Sequence, residues 1–250
     1  MAREREELAE VWAEIDRMAL GVTELGRSLG LPLTAASSNL ASPLPMRDAA
    51  ARPYAETVFD WVKTEQPYWR NRRLALNQPI LNAVRLTAEP FYFDGERLLS
   101  WRPNTLLATV DVGRARQDYG VASALVAPVH LPFGILGAVV WANAEPINAL
   151  AEIFTRSAER LLAVAARFIG AHAEVSCIST PAEAPPTPRE VQCLRWAAMG
   201  KTDNEIAEIL QISVPTVRFH LKNAAAKLDA VSRSHAVYRA TALGYVTAAH

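Results

Sequence analysis

Polar, basic and apolar side chains alternate near the C-terminus of this chain with the period of a helix. At about 100° per residue, one apolar stripe consists of Val217, Leu221, Ala224 and Leu228. The opposite face carries Thr216, Arg218, Phe219, Lys222, Asn223 and Ala226, with His220 and Lys227 beside it. Arginine and lysine bind phosphate or guanine, asparagine pairs with adenine, and phenylalanine can contact a thymine methyl group. The pattern therefore predicts chemistry directed at nucleic acid.

The residue patterns that support catalysis or metal binding are missing from the sequence. The two cysteines, Cys177 and Cys193, have no metal-ligand or C-x-x-C spacing. His130 and His172 stand apart, and neither a glycine-rich phosphate loop nor a G-x-S-x-G segment occurs. We therefore expect no catalytic residues, no metal and no cofactor.

The predicted contact residues would be positioned by a series of short helices with clear start signals. Thr187-Pro188-Arg189-Glu190 and Thr202-Asp203-Asn204-Glu205 both have the form of a capping box. A three-residue turn at 211–213 precedes a helix at 214–228, and a fourth helix follows Ser232 and ends near Gly244. Two helices joined by such a turn indicate a helix-turn-helix. The alternative is an ordinary four-helix domain with a solvated charged face.

A proline-rich segment divides the 250-residue chain. Prolines at 181, 185, 186 and 188 exclude a helix or a central strand there, which predicts a linker at 177–186. The whole chain has 26 basic and 26 acidic residues, but residues 185–250 have eight and five, which gives +3 there and −3 for the rest. The positive charge surrounds the predicted helix at 214–228, as a DNA-binding domain requires.

The preceding segment, residues 1–176, combines helical and strand patterns. Helical periods near the N-terminus and at 147–171 flank two predicted hairpins, one around Asp94-Gly95 and one formed by 121–130 and 134–141. We therefore predict an α+β protein: an α-β-α sandwich sensor domain with an antiparallel sheet, followed by an all-α four-helix domain at 187–250.

Residues 187–244 resemble the DNA-binding domain of LuxR-type transcription regulators. The resemblance is carried by Thr187-Pro188-Arg189-Glu190, Leu194, Gly200, Asn204-Glu205-Ile206-Ala207, Leu210, Ile212-Ser213, Thr216-Val217, His220-Leu221, Asn223, Lys227-Leu228 and Arg233. It implies structural roles for Glu190, Leu194, Gly200 and Ile206. It implies positions at the DNA for Thr216, Val217, Arg218, His220, Asn223 and Lys227, to which the helix face adds Phe219 and Lys222. A homodimer on a two-fold symmetric, double-stranded operator is also implied.

Residues 60–145 are similar to the autoinducer-binding domain of quorum-sensing regulators. The resemblance rests on 115–121, on 126–134 and on the Gln78-Pro79 pair. Where the family has an aspartate that accepts the amide N–H of an acyl-homoserine lactone, this chain has Gln78, whose carbonyl can also accept. Family positions for tyrosine and tryptophan hold Trp69 and Glu65. From the aromatic clustering and this alignment we predict ligand contacts by Tyr68, Trp69, Gln78 and Tyr92.

These patterns together predict a cytoplasmic, sequence-specific transcription regulator with a ligand-binding sensor domain. The charged N-terminus lacks a signal-peptide pattern, and no stretch of about 18 apolar residues predicts a membrane span. Two inputs to the sensor stay open: a small signal such as an acyl-homoserine lactone, or gating by protein contact or by a non-lactone ligand.

Overall fold

The computed structural model describes residues 2–42, 44–61, 78–113, 120–176 and 185–247. The chain divides into two compact units. One consists of Met1–Leu131 and Ile135–Cys177, and the other of Pro132–Gly134 and Ile178–His250. The first unit contains helices and a sheet, and the helices described in the second are joined by short turns. This organisation confirms the predicted α+β class.

The α/β unit is built on a five-stranded antiparallel sheet. Its strands are β1 (Leu33–Ser37), β2 (Phe91–Phe93), β3 (Leu98–Leu99), β4 (Ser123–His130) and β5 (Leu136–Asn143). The helices among its described residues are α1 (Ala2–Ser28), α2 (Tyr54–Thr57), α3 (Pro79–Val84) and α4 (Leu150–Ser176). The spatial order of the strands is β1-β5-β4-β2-β3.

Both predicted hairpins are confirmed. Strands β2 and β3 pair with Phe93 opposite Leu98. In their turn, the Asp94 carboxylate accepts hydrogen bonds from the backbone N–H groups of Glu96 and Arg97, and Gly95 adopts a φ of 99°. Strands β4 and β5 pair along their whole length, from Ser123 opposite Asn143 to His130 opposite Leu136. Strand β1, which the sequence did not predict, pairs with β5 at the edge of the sheet.

Alternate residues of the central strands enter two separate apolar cores, because successive side chains of a strand point to opposite faces. Leu125 and Ala127 of β4 pack in a cluster with buried residues of α1 and α4. Ala124 and Val126 pack in a second cluster with Ile80 and other residues of α3. Helices on both faces of the sheet confirm the predicted α-β-α sandwich.

Trp141 of β5 connects the sheet to α1. Its side chain is fully buried and its indole Nε1 donates a hydrogen bond of 2.8 Å to the backbone oxygen of Val22. The indole also lies so close to Gly26 that a Cβ atom there would be 2.3 Å from Trp141 Cδ1. A glycine on α1 thus makes room for the largest side chain of this core.

The helical unit contains α5 (Pro188–Ala198), α6 (Asp203–Leu210), α7 (Val214–Lys227) and α8 (Arg233–Ala242). Both capping boxes are present: Thr187 and Glu190 bond reciprocally at the start of α5, and Thr202 and Glu205 do so at the start of α6. Ser232 caps α8 by accepting a hydrogen bond from the His235 N–H. None of the helices within the described ranges is long and apolar enough to cross a bilayer.

Candidate nucleic-acid interface

Helices α6 and α7 are joined by a short turn with specific backbone bonds. Gln211 ends α6 in the left-handed conformation with a φ of 53°, and the Ile212 N–H bonds to the Ala207 oxygen at 3.0 Å. Ser213 then caps α7, because its hydroxyl accepts a hydrogen bond from the Thr216 N–H at 3.3 Å. The turn therefore fixes the direction of α7 relative to α6, as a helix-turn-helix needs.

The inner face of α7 belongs to the core of the helical unit. Val217 is fully buried and packs with Cys193, Ile206 and Ala207. Ala224 and Leu228 are also fully buried, in a neighbouring cluster. The apolar stripe is thus placed as its spacing predicts. The Val217 side chain, which the sequence predicts to lie at the DNA, is fully buried in this core.

The outer face of α7 presents a basic, amide and aromatic surface. Arg218 is 69% exposed and Phe219 is 61% exposed. Lys222 is exposed, while Thr216, His220 and Asn223 are half-buried. These predicted contact residues lie together on one helix and can reach a nucleic-acid duplex in the same orientation. The hydrogen-bond donors of this face include guanidinium, ammonium and amide groups, which are the groups that bind phosphates and base edges.

Lys227 has a different position from the other predicted contact residues. Its Nζ atom lies 2.9 Å from Oε2 and 3.2 Å from Oε1 of Glu190, whose side chain is only 4% exposed. The carboxylate also accepts a 2.7 Å hydrogen bond from the Thr187 N–H. Burial alone would raise the pKa of Glu190, but the Thr187 N–H and the Lys227 ammonium hold it below its ordinary value. The ammonium of Lys227 therefore connects α7 to the start of α5.

Asp203, at the start of α6, accepts from arginines of two other helices. Oδ2 accepts a 3.2 Å hydrogen bond from Nε of Arg218, and Oδ1 accepts from Arg233. Burial would raise the pKa of the Asp203 carboxyl, yet these two guanidinium groups hold it below its ordinary value. Sequence reasoning did not single out Asp203, because its partners lie 15 and 30 positions away on other helices.

The electrostatics at the start of α6 also favour a charged carboxylate. Glu205 accepts a hydrogen bond from the Thr202 N–H at 2.8 Å and one from Lys201 Nζ at 2.9 Å. The Thr202 bonds and the Lys201 ammonium lower the pKa of Glu205 to about 2. The Glu205 carboxylate is therefore charged at neutral pH, as an acceptor of these hydrogen bonds at the start of α6.

The predicted ligand residues of the α/β unit are only partly described. Tyr68 and Trp69 lie outside the described residues. Gln78 is the half-buried residue that precedes α3, and its side chain makes no capping bond there. The ring of Tyr92 packs on Phe154 of α4 with centroids 4.9 Å apart, so it belongs to the core on the opposite face of the sheet from α3. The structure does not bring Tyr92 and α3 together.

A surface pocket of about 480 Å³ lies beside α1 and α2. It is lined by Leu20, Gly21, Thr23, Glu24, Arg27, Thr57, Val58 and Asp60. Arg27 and Asp60 form a 2.7 Å ion pair at this pocket. Gln78 and Tyr92 are not part of the lining, so the pocket is separate from the described members of the predicted ligand set.

Comparison with known proteins identifies relatives of the helical unit and of the whole chain. Residues 185–240 match the family described as "Bacterial regulatory proteins, luxR family". The quorum sensing-dependent transcriptional regulator VjbR of Brucella ovis is 58% identical over 60 residues, which are 24% of this chain and 23% of the Brucella protein. The quorum sensing-dependent regulator RpaR of Rhodopseudomonas palustris is 28% identical over 241 residues, 95% of this chain and 82% of RpaR.

Solved structures agree with the fold. A structure of SdiA in complex with octanoyl-rac-glycerol matches with a TM-score of 0.50 and 22% identity, covering 92% of this chain and 88% of SdiA. A second structure, of Escherichia coli SdiA, matches with a TM-score of 0.51 and 20% identity, covering 97% and 98% of the two chains. At this level of identity the likeness concerns the fold alone.

Proposed function

We propose that this chain is a LuxR-family transcription regulator that binds a two-fold symmetric operator as a homodimer, with α7 of each protomer in the major groove. We further propose that the α/β unit senses a small signal of the acyl-homoserine lactone class. Binding of the signal would change the relative orientation of the two helical units in the dimer. It would thereby decide whether both half-sites can be bound at once. The helix-turn-helix at residues 185–240, which matches the family, supports the first part. RpaR, a quorum sensing-dependent regulator that aligns with 95% of this chain, supports the sensing of a small signal.

The observation that carries the DNA-binding proposal is the division of α7 into two faces. Its inner face is filled with fully buried side chains, whereas Arg218, Phe219 and Lys222 are exposed on the other side. A recognition helix needs this arrangement, because the core must fix the helix while its donors stay accessible to base edges. Thr216, His220 and Asn223 complete the proposed contact surface.

The proposed homodimer follows from the size of the interface. Helix α7 has 14 residues, and a single recognition helix of this length reads only a few base pairs. Joining two heads makes the second contact intramolecular, which raises the overall affinity through effective concentration. Size-exclusion chromatography with light scattering should therefore give twice the chain mass for the DNA-bound protein after subtraction of the duplex.

The proposed lactone signal is supported by the relatives and by one site residue. RpaR is named a quorum sensing-dependent regulator and aligns with 95% of this chain. Gln78 directly precedes α3, whose buried residues line the second apolar core. Its carbonyl can accept an amide N–H, and an acyl chain bound there would extend toward the apolar residues of this core.

The DNA-binding proposal is tested by in vitro selection from a random duplex library with the full chain, followed by fluorescence anisotropy. We expect a two-fold symmetric consensus and binding that weakens with salt. Replacing Arg218, Lys222 and Asn223 together by alanine should abolish the preference while the chain still melts in a cooperative transition. Intact binding by that triple variant would contradict the assigned surface.

The ligand proposal is tested by thermal shift of the full chain with a panel of acyl-homoserine lactones. A ligand that binds only the folded state raises the melting temperature in a concentration-dependent way. Gln78→Ala should reduce the shift in melting temperature. Gln78→Glu should preserve the shift, because it retains an oxygen that can accept the amide N–H. Uniformly flat melting across the panel would contradict the lactone assignment and favour gating by protein contact or by another ligand.

A further inference from the structure

We propose that Asp203 is a positioning residue that orients the Arg218 guanidinium for contact with a guanine, and that it thereby sets base discrimination. The inference rests on the proposed function, since it assigns a role within the same DNA-binding surface. It concerns a residue of α6, the helix that precedes the recognition helix. Three observations support it: a carboxylate held by Arg233, an arginine bound to that carboxylate through one nitrogen, and a negative charge beside the proposed recognition helix.

The carboxylate of Asp203 is held in place independently of Arg218. Asp203 is the first residue of α6, directly after the Thr202 cap, and its side chain is 23% exposed. Arg233 donates to its Oδ1 atom and also donates a 2.6 Å hydrogen bond to the backbone oxygen of Lys201. Because Arg233 has two partners on this segment, it fixes the carboxylate against the start of α6. The Asp203 carboxylate is therefore a rigid acceptor for the Arg218 guanidinium.

Arg218 meets this acceptor through one nitrogen only. Its Nε atom donates to Oδ2 of Asp203 at 3.2 Å, and the side chain is 69% exposed. The two terminal nitrogens make no hydrogen bond to the described residues. A planar guanidinium held at Nε keeps both terminal amino groups available, and these can form the parallel pair of bonds to O6 and N7 of guanine. Fixing the plane beforehand removes part of the rotamer entropy that an unrestrained arginine loses on binding.

The placement of an acid at this point is not explained by affinity alone. DNA is a polyanion, so a carboxylate beside the recognition helix weakens binding to every sequence. The pair with Arg233 stabilises the helical unit, and this benefit is the same for every DNA sequence. The orientation of a base-reading arginine is a second benefit, and it depends on the DNA sequence. Removing the Asp203 charge should therefore change affinity and discrimination in opposite directions, which a general loss of structure cannot do.

The test compares full-length wild type with Asp203→Asn. The probes are a duplex selected by the wild-type chain from a random library and a shuffled duplex of the same length. We expect the ratio of the two affinities to fall about five- to tenfold, within the range of one bidentate base contact. Binding to the shuffled duplex should be unchanged or stronger. The selected consensus should lose its preference at one guanine in each half-site.

Two controls separate this role from simpler effects. Asp229→Asn removes the same charge just after α7, at a position with a φ of 49° that asparagine tolerates. It should leave the affinity ratio unchanged. In an Arg218→Ala background, Asp203→Asn should cause no further loss of discrimination. An unchanged ratio in the single Asp203 variant, or equal losses in both backgrounds, would overturn the inference. If the wild-type chain selects no sequence, the proposed function fails as well.

Discussion

Replacing Lys227 by alanine should destabilise the helical unit, because it leaves a buried carboxylate without its cation. In the sequence, Lys227 follows Lys222 by five positions on the same helix, and both read as phosphate contacts. In the structure, Lys227 Nζ lies 2.9 Å from the Glu190 carboxylate, which is only 4% exposed. The two lysines therefore have different roles, and substitution should separate them.

The expected size of the effect follows from the geometry of the pair. Removing one partner of a buried ion pair costs about 3–5 kcal/mol. Lys227 is 28% exposed, and Glu190 keeps the hydrogen bond from the Thr187 N–H at 2.7 Å. Both facts place the loss at the lower end, about 3 kcal/mol, which corresponds to roughly a hundredfold change in the opening equilibrium.

Native-state hydrogen exchange with mass spectrometry measures this change in the full chain. Peptides from α5 and α7 report the opening of the helical unit, whereas peptides from the sheet serve as an internal reference. Exchange of the α5 and α7 amides should accelerate about a hundredfold in Lys227→Ala. Lys222→Ala is the matched control, because this exposed lysine has no ion pair among the described residues and its removal should leave exchange unchanged.

The pH dependence provides an independent check of the same reasoning. The pKa of Glu190 is lowered in the folded protein, so its contribution to stability is present above its unfolded value of about 4.3. That contribution is lost as the pH falls through the lower folded value. The difference in stability between wild type and Lys227→Ala should therefore shrink as the pH falls below about 4.3. A difference that is constant with pH, or no faster exchange at pH 7, would refute the role assigned to the pair.

Three further substitutions test the recognition surface and the sheet core. Lys222→Ala should weaken binding to all duplexes and reduce the slope of log affinity against log salt by about one unit, as read from anisotropy titrations. Asn223→Ala should instead relax base choice at one position, with about 1–3 kcal/mol of discrimination lost in a competition assay against single-base variants. Gly26→Ala should destabilise the α/β unit by about 1–3 kcal/mol in urea unfolding, because its Cβ would lie 2.3 Å from Trp141. Gly21→Ala on the same helix, with nothing within 4 Å, should be neutral or stabilising.

The helical unit was predictable because its signals are local. Thr187 and Thr202 each form the cap expected from a few neighbouring residues, and Ser213, the last residue of the predicted turn, caps α7. The Asp94-Gly95 hairpin was predictable for the same reason, since the turn satisfies its own backbone bonds. Patterns that are complete within one turn of chain do not depend on the rest of the fold.

The features that the sequence missed depend on partners far along the chain. Strand β1 has a short, mixed sequence and exists because it pairs with β5, more than a hundred residues later. The aromatic cluster predicts Tyr92 as a ligand contact but does not say which face of the sheet it occupies; its position in β2 directs it to the α4 side, where it packs on Phe154. Which face a residue of a three-residue strand occupies is set by register, and aromatic content carries no information about register.

The same distinction applies to the charges of the DNA-binding surface. Residues 211–239 include five basic residues and one acidic residue. From the sequence alone, each basic residue is an equal candidate for a phosphate contact. In the structure, Lys227 is bound to Glu190 and Arg233 to Asp203, while Arg239 donates to the backbone oxygen of Leu228. These three stabilise the helical unit, which leaves Arg218 and Lys222 as the exposed cations of α7. Of these two, Arg218 is tethered and Lys222 has no ion pair within the described ranges. The guanidinium of Arg218, held at Nε, is suited to a base edge, whereas the exposed ammonium of Lys222 is suited to a phosphate. We therefore assign sequence specificity to Arg218 and general affinity to Lys222, one helical turn apart.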